Sequence, residues 1–155
     1  MRLAAQLIIA GALAASASAS AAGPAERPGW AVHKTDHSYS TLIDRVKAAA
    51  KANKMGVVTQ AGPTGAARNR GITIPGSVIG VFNNKFAVRM LTASEAAMIE
   101  APIRFYVTEQ PDGAATLSYK TPSLVFAPYV DDSPDVATIA QELDEIFAAI
   151  ASAAK

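Results

Sequence analysis

The sequence has no cysteine among its 155 residues, and this absence excludes several kinds of chemistry. Disulfide bonds, thiol nucleophiles, CxxC redox motifs and thiolate metal sites all need cysteine. Exported domains with small cores are often cross-linked by disulfides. This chain must instead be held together by the packing of a hydrophobic core, which a domain of this length can form.

The sequence also has almost no net charge, since 14 Lys and Arg residues stand against 13 Asp and Glu residues. Bulk charge therefore gives no reason to expect nucleic acid or an acidic membrane surface as a partner. The charges are unevenly spread, however. Nine basic residues lie from Arg45 to Arg104, and eight acidic residues lie from Phe105 to Ile150. Such asymmetry can give a molecule one anion-attracting side, or can vanish when the two halves interleave on folding.

Long hydrophobic runs are missing after the first 22 residues. A positive start at Met1-Arg2 precedes the mostly apolar Leu3–Ala15, and small residues follow at the spacing that signal peptidase recognises. We therefore predict a signal peptide over residues 1–22, cleaved after Ala17, Ala19 or Ala22, and an exported, periplasmic protein. A retained membrane anchor is the alternative. No later segment approaches the roughly 18 apolar residues of a membrane span.

Removing 22 of the 155 residues leaves 133, which is the size of a single domain. Residues 23–34 begin with small residues, Gly and Pro, and are predicted to form a flexible N-terminal segment. Residues 35–153 are predicted to form the folded domain. A weak alternation also predicts a first strand near residues 30–37.

The domain is organised around residues 78–107. An apolar run at Val78–Phe82 ends at Asn83-Asn84-Lys85, an Ala- and Met-rich stretch follows, and Pro102 precedes a second apolar run. This pattern predicts a strand, a helix over about 85–98 and another strand. Helical periodicity predicts two more helices, near 41–54 and 136–153. The first has Thr41 in a capping box or Ser40 as its cap, with Gly56 as the left-handed residue at its end.

The other elements are shorter. Val57-Val58-Thr59 is predicted to be a strand, and the Gly-rich stretch 61–76 a loop with one helical turn. Pro111-Asp112-Gly113 predicts a hairpin between 103–108 and 115–120, and 122–135 is predicted to be a loop. The fold class is therefore α+β, with a mostly antiparallel sheet of about four or five strands covered by three helices in a single domain.

This order of elements, with Tyr39-Ser40-Thr41 opening a helix, Val78–Phe82 running into Asn84, Pro102 before a strand, and a hairpin ending at Tyr119, resembles the DUF302 family. The resemblance implies a compact α+β domain, commonly a homodimer, of unestablished activity. Two sequence motifs of the family differ in this chain. The segment Phe82-Asn83-Asn84-Lys85 lacks the Gly and Pro that the family often has there. The segment Ala61-Gly62-Pro63 stands where many members have an Asp-His pair.

Two basic groups are the candidate ligand-binding residues. Asn84 and Lys85 lie where the amides at a helix start can hold an anion, Arg89 follows Lys85 by one turn, and Arg104 could point the same way. The alternative is that Asn84 only caps the helix. Arg68 and Arg70, in the Gly-rich loop, could clamp a carboxylate or phosphate.

No catalytic, metal or cofactor constellation is predicted. His33 and His37 would be too far apart in a strand to share one ion and are predicted to be surface residues. The stretch that contains Asp131, Asp132 and Asp135 lacks the Gly and the distal Glu of an EF-hand loop. We therefore predict a non-catalytic dimeric module that binds a small anionic ligand. The alternatives are an enzyme that uses Glu100 or a Tyr as general acid or base, and a purely structural or interaction scaffold.

Overall fold

The structure is a computed structural model that describes residues 23–71 and 76–155 of the chain, without the side chain of Arg68. The predicted signal peptide, residues 1–22, lies outside the described residues. Described strands are β1 (Trp30–Ser38), β2 (Gly56–Ala61), β3 (Ser77–Phe82), β4 (Ile103–Glu109) and β5 (Ala114–Lys120). Described α-helices are α1 (Tyr39–Ala52), α2 (Thr64–Arg68), α3 (Asn84–Ala93), α4 (Pro122–Phe126) and α5 (Pro134–Ala154), with 3-10 turns at Ala96–Glu100 and Ala127–Tyr129.

The strands form one sheet in the order β1-β5-β4-β3-β2, and all four neighbouring pairs are antiparallel. This architecture confirms the predicted α+β class. β1 begins at Trp30, so the first strand takes up the last part of the segment 23–34. The predicted hairpin is present: the amide of Gln110 donates to the carbonyl of Ala114, and Gly113 has a φ of 85°.

The core lies between one face of the sheet and the helices. Ile103, Phe105 and Val107 alternate along β4 and are buried, and the Phe105 ring stacks on Phe147 of α5 with centroids 4.3 Å apart. Helix α5 packs against α1, α3 and α4. Helices α1, α3, α4 and α5 therefore lie over this face, and side chains that alternate with the core residues point to the opposite face.

Helix α1 starts two residues earlier than predicted, its N-cap and its left-handed residue differ from the predicted ones, and its C-cap is Asn53. The Ser38 hydroxyl accepts from the amide of Thr41 at 3.3 Å, so Ser38 is the cap in place of Thr41 or Ser40. At the other end the left-handed residue is Lys54, with a φ of 59°, and not Gly56, which already belongs to β2. The predicted apolar face is confirmed, since Leu42 and Val46 are fully buried.

The predicted helix 85–98 is two elements. Helix α3 ends at Ala93, and Ser94 adopts an extended conformation. The Ser94 hydroxyl donates to the Asp132 carboxylate and accepts from the amide of Ala97 in the 3-10 turn that follows. A contact with a residue 38 positions away thus ends the helix, and periodicity alone cannot show it.

The segment 122–135 is not the loop that the sequence predicts. It contains α4, whose start combines a Thr121 cap, accepting from the amide of Leu124 at 3.2 Å, with Pro122 in the first turn. Proline is favoured at that position because the missing N–H has no helical partner there. Helix α5 then starts at Pro134, two residues earlier than predicted, and is capped by Ser133.

Candidate functional site

The start of α3 is already satisfied by a neighbouring side chain. Asn83 caps the helix: its Oδ1 accepts from the amides of Lys85 at 2.9 Å and Phe86 at 3.4 Å. Its Nδ2 donates to the carbonyl of Lys54 at 2.8 Å. Asn84 is an exposed residue in the first turn, so the predicted cap is off by one position. The amides that could hold an anion are in part occupied by Asn83.

Arg89 is held by an acidic partner. Its guanidinium donates two hydrogen bonds to the carboxylate of Glu142 on α5, at 2.6 and 2.7 Å. These bonds raise the pKa of Arg89 and lower that of Glu142. A bidentate pair of this kind uses the geometry by which arginine would grip a ligand carboxylate. Arg89 is therefore engaged with the helix layer.

Arg104 does not join Arg89 as the sequence predicts. Its neighbours Ile103 and Phe105 point into the core beneath the helices, so alternation along β4 sends the Arg104 side chain to the opposite face of the sheet. Arg89 binds Glu142 on the helix side. The two arginines therefore lie on opposite sides of the sheet and cannot share one small ligand.

The predicted clamp in the Gly-rich loop is only partly described. The turn predicted there is α2, which ends at Arg68, and the side chain of Arg68 lies outside the described part of the chain. Arg70 is exposed, and its guanidinium donates to the carbonyl of Ala66 at 3.0 Å. One of the Arg70 guanidinium donors is thus used by a backbone carbonyl four residues earlier.

A groove of about 310 Å³ lies at the ends of β4 and β5, where Val125 of α4 also lines it. Its lining includes Arg104 and Tyr106 from β4, with Ser118 and Lys120 from β5. Trp30 of β1 forms one wall of the groove. In the strand register Trp30 is opposite Lys120, and Tyr106 is opposite Ser118. Two neighbouring rows of cross-strand side chains therefore build the site.

Positive charge is concentrated at this groove. Arg104 and Lys120 are exposed and stand one position beyond the Phe105–Tyr119 pair, on the same face of adjacent strands. The Lys120 ammonium is 5.7 Å from the Trp30 ring centroid, and the Arg27 guanidinium is 5.2 Å from it. Within the described part of the protein, the side chain of Arg104 makes no hydrogen bond or ion pair.

Part of this groove could have been predicted from the sequence. Arg104 and Tyr106 are two positions apart in a predicted strand, which places them on one face. Trp30 and Lys120 are 90 positions apart, and only the pairing of β1 with β5 brings them together. A single sequence does not show which strands pair, so Trp30 and Lys120 were not predicted to lie beside Arg104.

A second, apolar cavity of about 40 Å³ lies between α3, α5 and the end of β3. Met55, Met90 and Met98 line it together with aromatic rings, among them Phe86 and Phe126. The space suffices for one water molecule or a few and is well below the roughly 300 Å³ at which small-molecule sites begin. Met90 is a core residue, since its side chain is buried.

The acid–base candidates of the alternative prediction form a pair. The Tyr129 hydroxyl donates to Glu100 at 2.9 Å, and this hydrogen bond raises the pKa of the tyrosine. The pair joins the two 3-10 turns, because each residue belongs to one of them. Neither residue lines the groove or the methionine-lined cavity.

The two histidines lie in β1, as predicted, but only in part at the surface. The Nε2 atom of His33 is buried and has no hydrogen-bond partner among the described residues. Its ring is 6.1 Å from that of Tyr119.

Across residues 23–71 and 76–155, no group of three or more His, Asp or Glu residues is close enough to hold a metal ion. In the same ranges, no helix is long and apolar enough to cross a membrane.

The chain is thus a single α+β domain with an antiparallel five-stranded sheet covered on one face by helices. Residues 31–154 match the family described as Domain of unknown function DUF302, and the chain belongs to that family. The predicted family resemblance is confirmed.

A solved relative supports the fold. The crystal structure of uncharacterized conserved protein DUF302 from Bacillus stearothermophilus superposes with a TM-score of 0.72 at 18% sequence identity. The match covers 82% of this chain and 98% of that one. At this identity the likeness supports the fold alone. No curated protein matches the chain.

Proposed function

We propose that this protein is an exported, non-catalytic dimeric module that binds a small anionic ligand in the groove at the ends of β4 and β5. One observation carries the binding part: Arg104 and Lys120 stand side by side there, and Arg104 has no described acidic partner. Like charges opposite each other on neighbouring strands destabilise a sheet. A bound anion would remove that repulsion and would use the free guanidinium.

The experiment is a titration of the protein with acetate, inorganic phosphate and benzoate, followed by calorimetry or by amide chemical shifts. We expect Arg104→Ala and Lys120→Ala each to weaken anion binding at least about tenfold, the usual effect of losing a charged hydrogen-bond partner. Arg89→Ala and Lys51→Ala are the controls. The first removes an arginine already paired with Glu142, and the second an exposed lysine on α1.

The outcomes separate the site from the function. Weaker binding in the Arg104 and Lys120 variants alone would support the groove. Equal binding by all four variants would place the anion elsewhere and overturn the groove as its site. If the unmodified protein binds none of the three anions, the binding module itself is wrong.

For the dimer, we propose the edge strand β2 as the contact between two copies. All six of its residues are exposed, Val57 at 38% and Val58 at 53%, and none is charged. The opposite edge, β1, carries Lys34 and Asp36, charges of the kind that protect an edge from pairing. An uncharged edge can pair with its own copy through backbone hydrogen bonds.

Light scattering after size-exclusion chromatography tests this contact. We expect a dimer for the unmodified protein and a monomer for Val58→Lys. Val88→Lys is the matched control, because Val88 is 64% exposed on α3, away from the edge. A dimer that survives Val58→Lys but not Val88→Lys would move the interface to α3. A monomeric unmodified protein would end the dimer proposal.

The export part rests on the N-terminal sequence alone, which lies outside the described residues. The test is the intact mass of protein isolated from the periplasm of an expressing bacterium. Loss of residues up to Ala17, Ala19 or Ala22 would support export and identify the cleaved bond. A full-length mass in the cytoplasmic fraction would contradict it.

A further inference from the structure

We infer that the ligand of this groove is an aromatic ring that carries an anionic group, such as a carboxylate or a phosphate. This inference rests on the proposed function and narrows it. It follows from the combination of two cations with two aromatic side chains, Trp30 and Tyr106, in one groove of about 310 Å³. A site for a bare inorganic ion would need the cations but not the rings.

Trp30 is held in place as a wall of the groove. Arg27 and Lys120 both lie within 6 Å of its ring centroid, so two cation–π contacts restrain the indole. The backbone around it is also fixed, since the carbonyl of Gly29 accepts from the amide of Thr121 at 2.8 Å. A restrained ring loses little side-chain entropy when a flat ligand packs against it.

Tyr106 is restrained on its own side of the groove. The backbone of Gly76 packs directly on its ring: a Cβ added to Gly76 would lie 2.8 Å from two of the ring carbons. The Tyr106 hydroxyl makes no hydrogen bond with the described residues, which leaves it able to donate to a ligand. The fully buried Ser118 hydroxyl donates to the Tyr106 carbonyl at 3.4 Å and fixes the strand beneath.

The charges and the rings therefore impose an orientation. The anionic group lies between Arg104 and Lys120, and the ring of the ligand extends over Tyr106 toward Trp30. Aromatic rings favour offset-stacked or edge-to-face contacts with each other. The groove volume is at the lower end of the range for small-molecule sites and suits a ligand of one or two rings.

The experiment compares matched ligands on the intact protein. Acetate, cyclohexanecarboxylate and benzoate carry the same carboxylate, and the last two have similar bulk but differ in aromatic character. Phosphate and phenyl phosphate form a second pair. We expect benzoate to bind at least about threefold more tightly than cyclohexanecarboxylate, the factor that an aromatic pair adds beyond burial. Phenyl phosphate should likewise bind more tightly than phosphate.

Variants assign the effect to the rings. Tyr106→Leu and Trp30→Leu should each reduce the preference for benzoate over cyclohexanecarboxylate while retaining the binding of acetate. Tyr129→Leu, which removes a ring on the helix side, should leave the preference unchanged. Thermal unfolding of each variant shows whether it is folded at the titration temperature.

The results distinguish the two proposals. If anions bind through Arg104 but benzoate and cyclohexanecarboxylate bind equally, this inference is overturned and the anion-binding function stands. A preference for benzoate that survives both ring substitutions also overturns it. If no anion binds, both proposals fail together.

Discussion

Arg89 on α3 and Glu142 on α5 are joined by two parallel hydrogen bonds of 2.6 and 2.7 Å. Both side chains remain more than 40% exposed, so water screens the attraction and the stability gained is small. The pair matters for orientation, because it fixes one helix of the covering layer against another. It also engages an arginine that sequence spacing had assigned to a candidate ligand site.

The first prediction concerns the effect of acidic pH on the Arg89–Glu142 pair. The hydrogen bonds that Arg89 donates to Glu142 hold the pKa of Glu142 below its ordinary value. The stabilisation is therefore fully present above the pKa of an unfolded glutamate, near 4.5, and is lost as the pH falls below it. We expect Glu142→Gln to lower Tm slightly at neutral pH and to flatten its decline in acid. Glu145→Gln, an exposed carboxylate on the same helix, should leave the decline unchanged; identical curves for both variants would contradict the prediction.

The second prediction concerns Gly80 on β3. A Cβ at this position would lie 2.9 Å from the Pro102 ring and would overlap the Thr59 hydroxyl. We expect Gly80→Ala to destabilise the protein by about 1–3 kcal/mol, the usual cost of overpacking. Gly65→Ala is the control: it has nothing within 4 Å and lies in a helix. Urea denaturation measures both, and equal stability of the two variants would show that the sheet yields at Gly80.

The third prediction concerns the stacked rings of the core. Phe105 and Phe147 are fully buried. Their ring centroids are 4.3 Å apart, and the angle between the ring planes is 15°. We expect Phe147→Ala to cost about 3–5 kcal/mol and Phe147→Leu distinctly less, because leucine leaves a smaller cavity. Guanidinium denaturation gives both values. A similar loss in the two variants would mean that ring stacking, and not volume, dominates at this site.

The fourth prediction concerns His33. Burial and, to a smaller degree, the charge of Lys155 lower the pKa of its imidazole below the ordinary value of 6.5. The unfolded chain therefore takes up a proton at a higher pH than the folded protein does. Stability is fully present above about pH 6.5 and falls as the pH drops below it.

The measurement is Tm between about pH 5 and 7.5 for three proteins. His33→Gln should reduce the decline below pH 6.5. His37→Gln, which removes the other histidine of the sequence, should retain it. A decline unchanged by His33→Gln would assign the pH dependence to other groups.

Much of the fold was predictable because it follows from local sequence patterns. The burial of Leu42, Val46, Ile139 and Phe147 follows the 3.6-residue period of α1 and α5, and Gly113 marks the hairpin. The errors arose where a distant residue decides the local structure. Ser94 ends α3 through its bond to Asp132, which no window around residue 94 contains.

The candidate site shows the same division. Lys85 and Arg89 were placed on one helix from their spacing. Whether Arg89 is free depends on Glu142, which is 53 positions away. The face that Arg104 occupies could have been derived from Ile103 and Phe105, because apolar residues on both sides of a charged residue in a strand send it away from the core. Its companions Trp30 and Lys120 required the sheet order.

That sheet order also affects how the chain folds. β1 is an edge strand whose neighbour is β5, and Thr35 donates to the carbonyl of Ala115, 80 positions later. Contacts between distant segments are formed late and slowly, because the intervening chain must first be closed into a loop. The first strand therefore has no partner until residues 114–120 have been synthesised. The sheet cannot be completed before that point, whatever pairs form earlier among β2, β3 and β4.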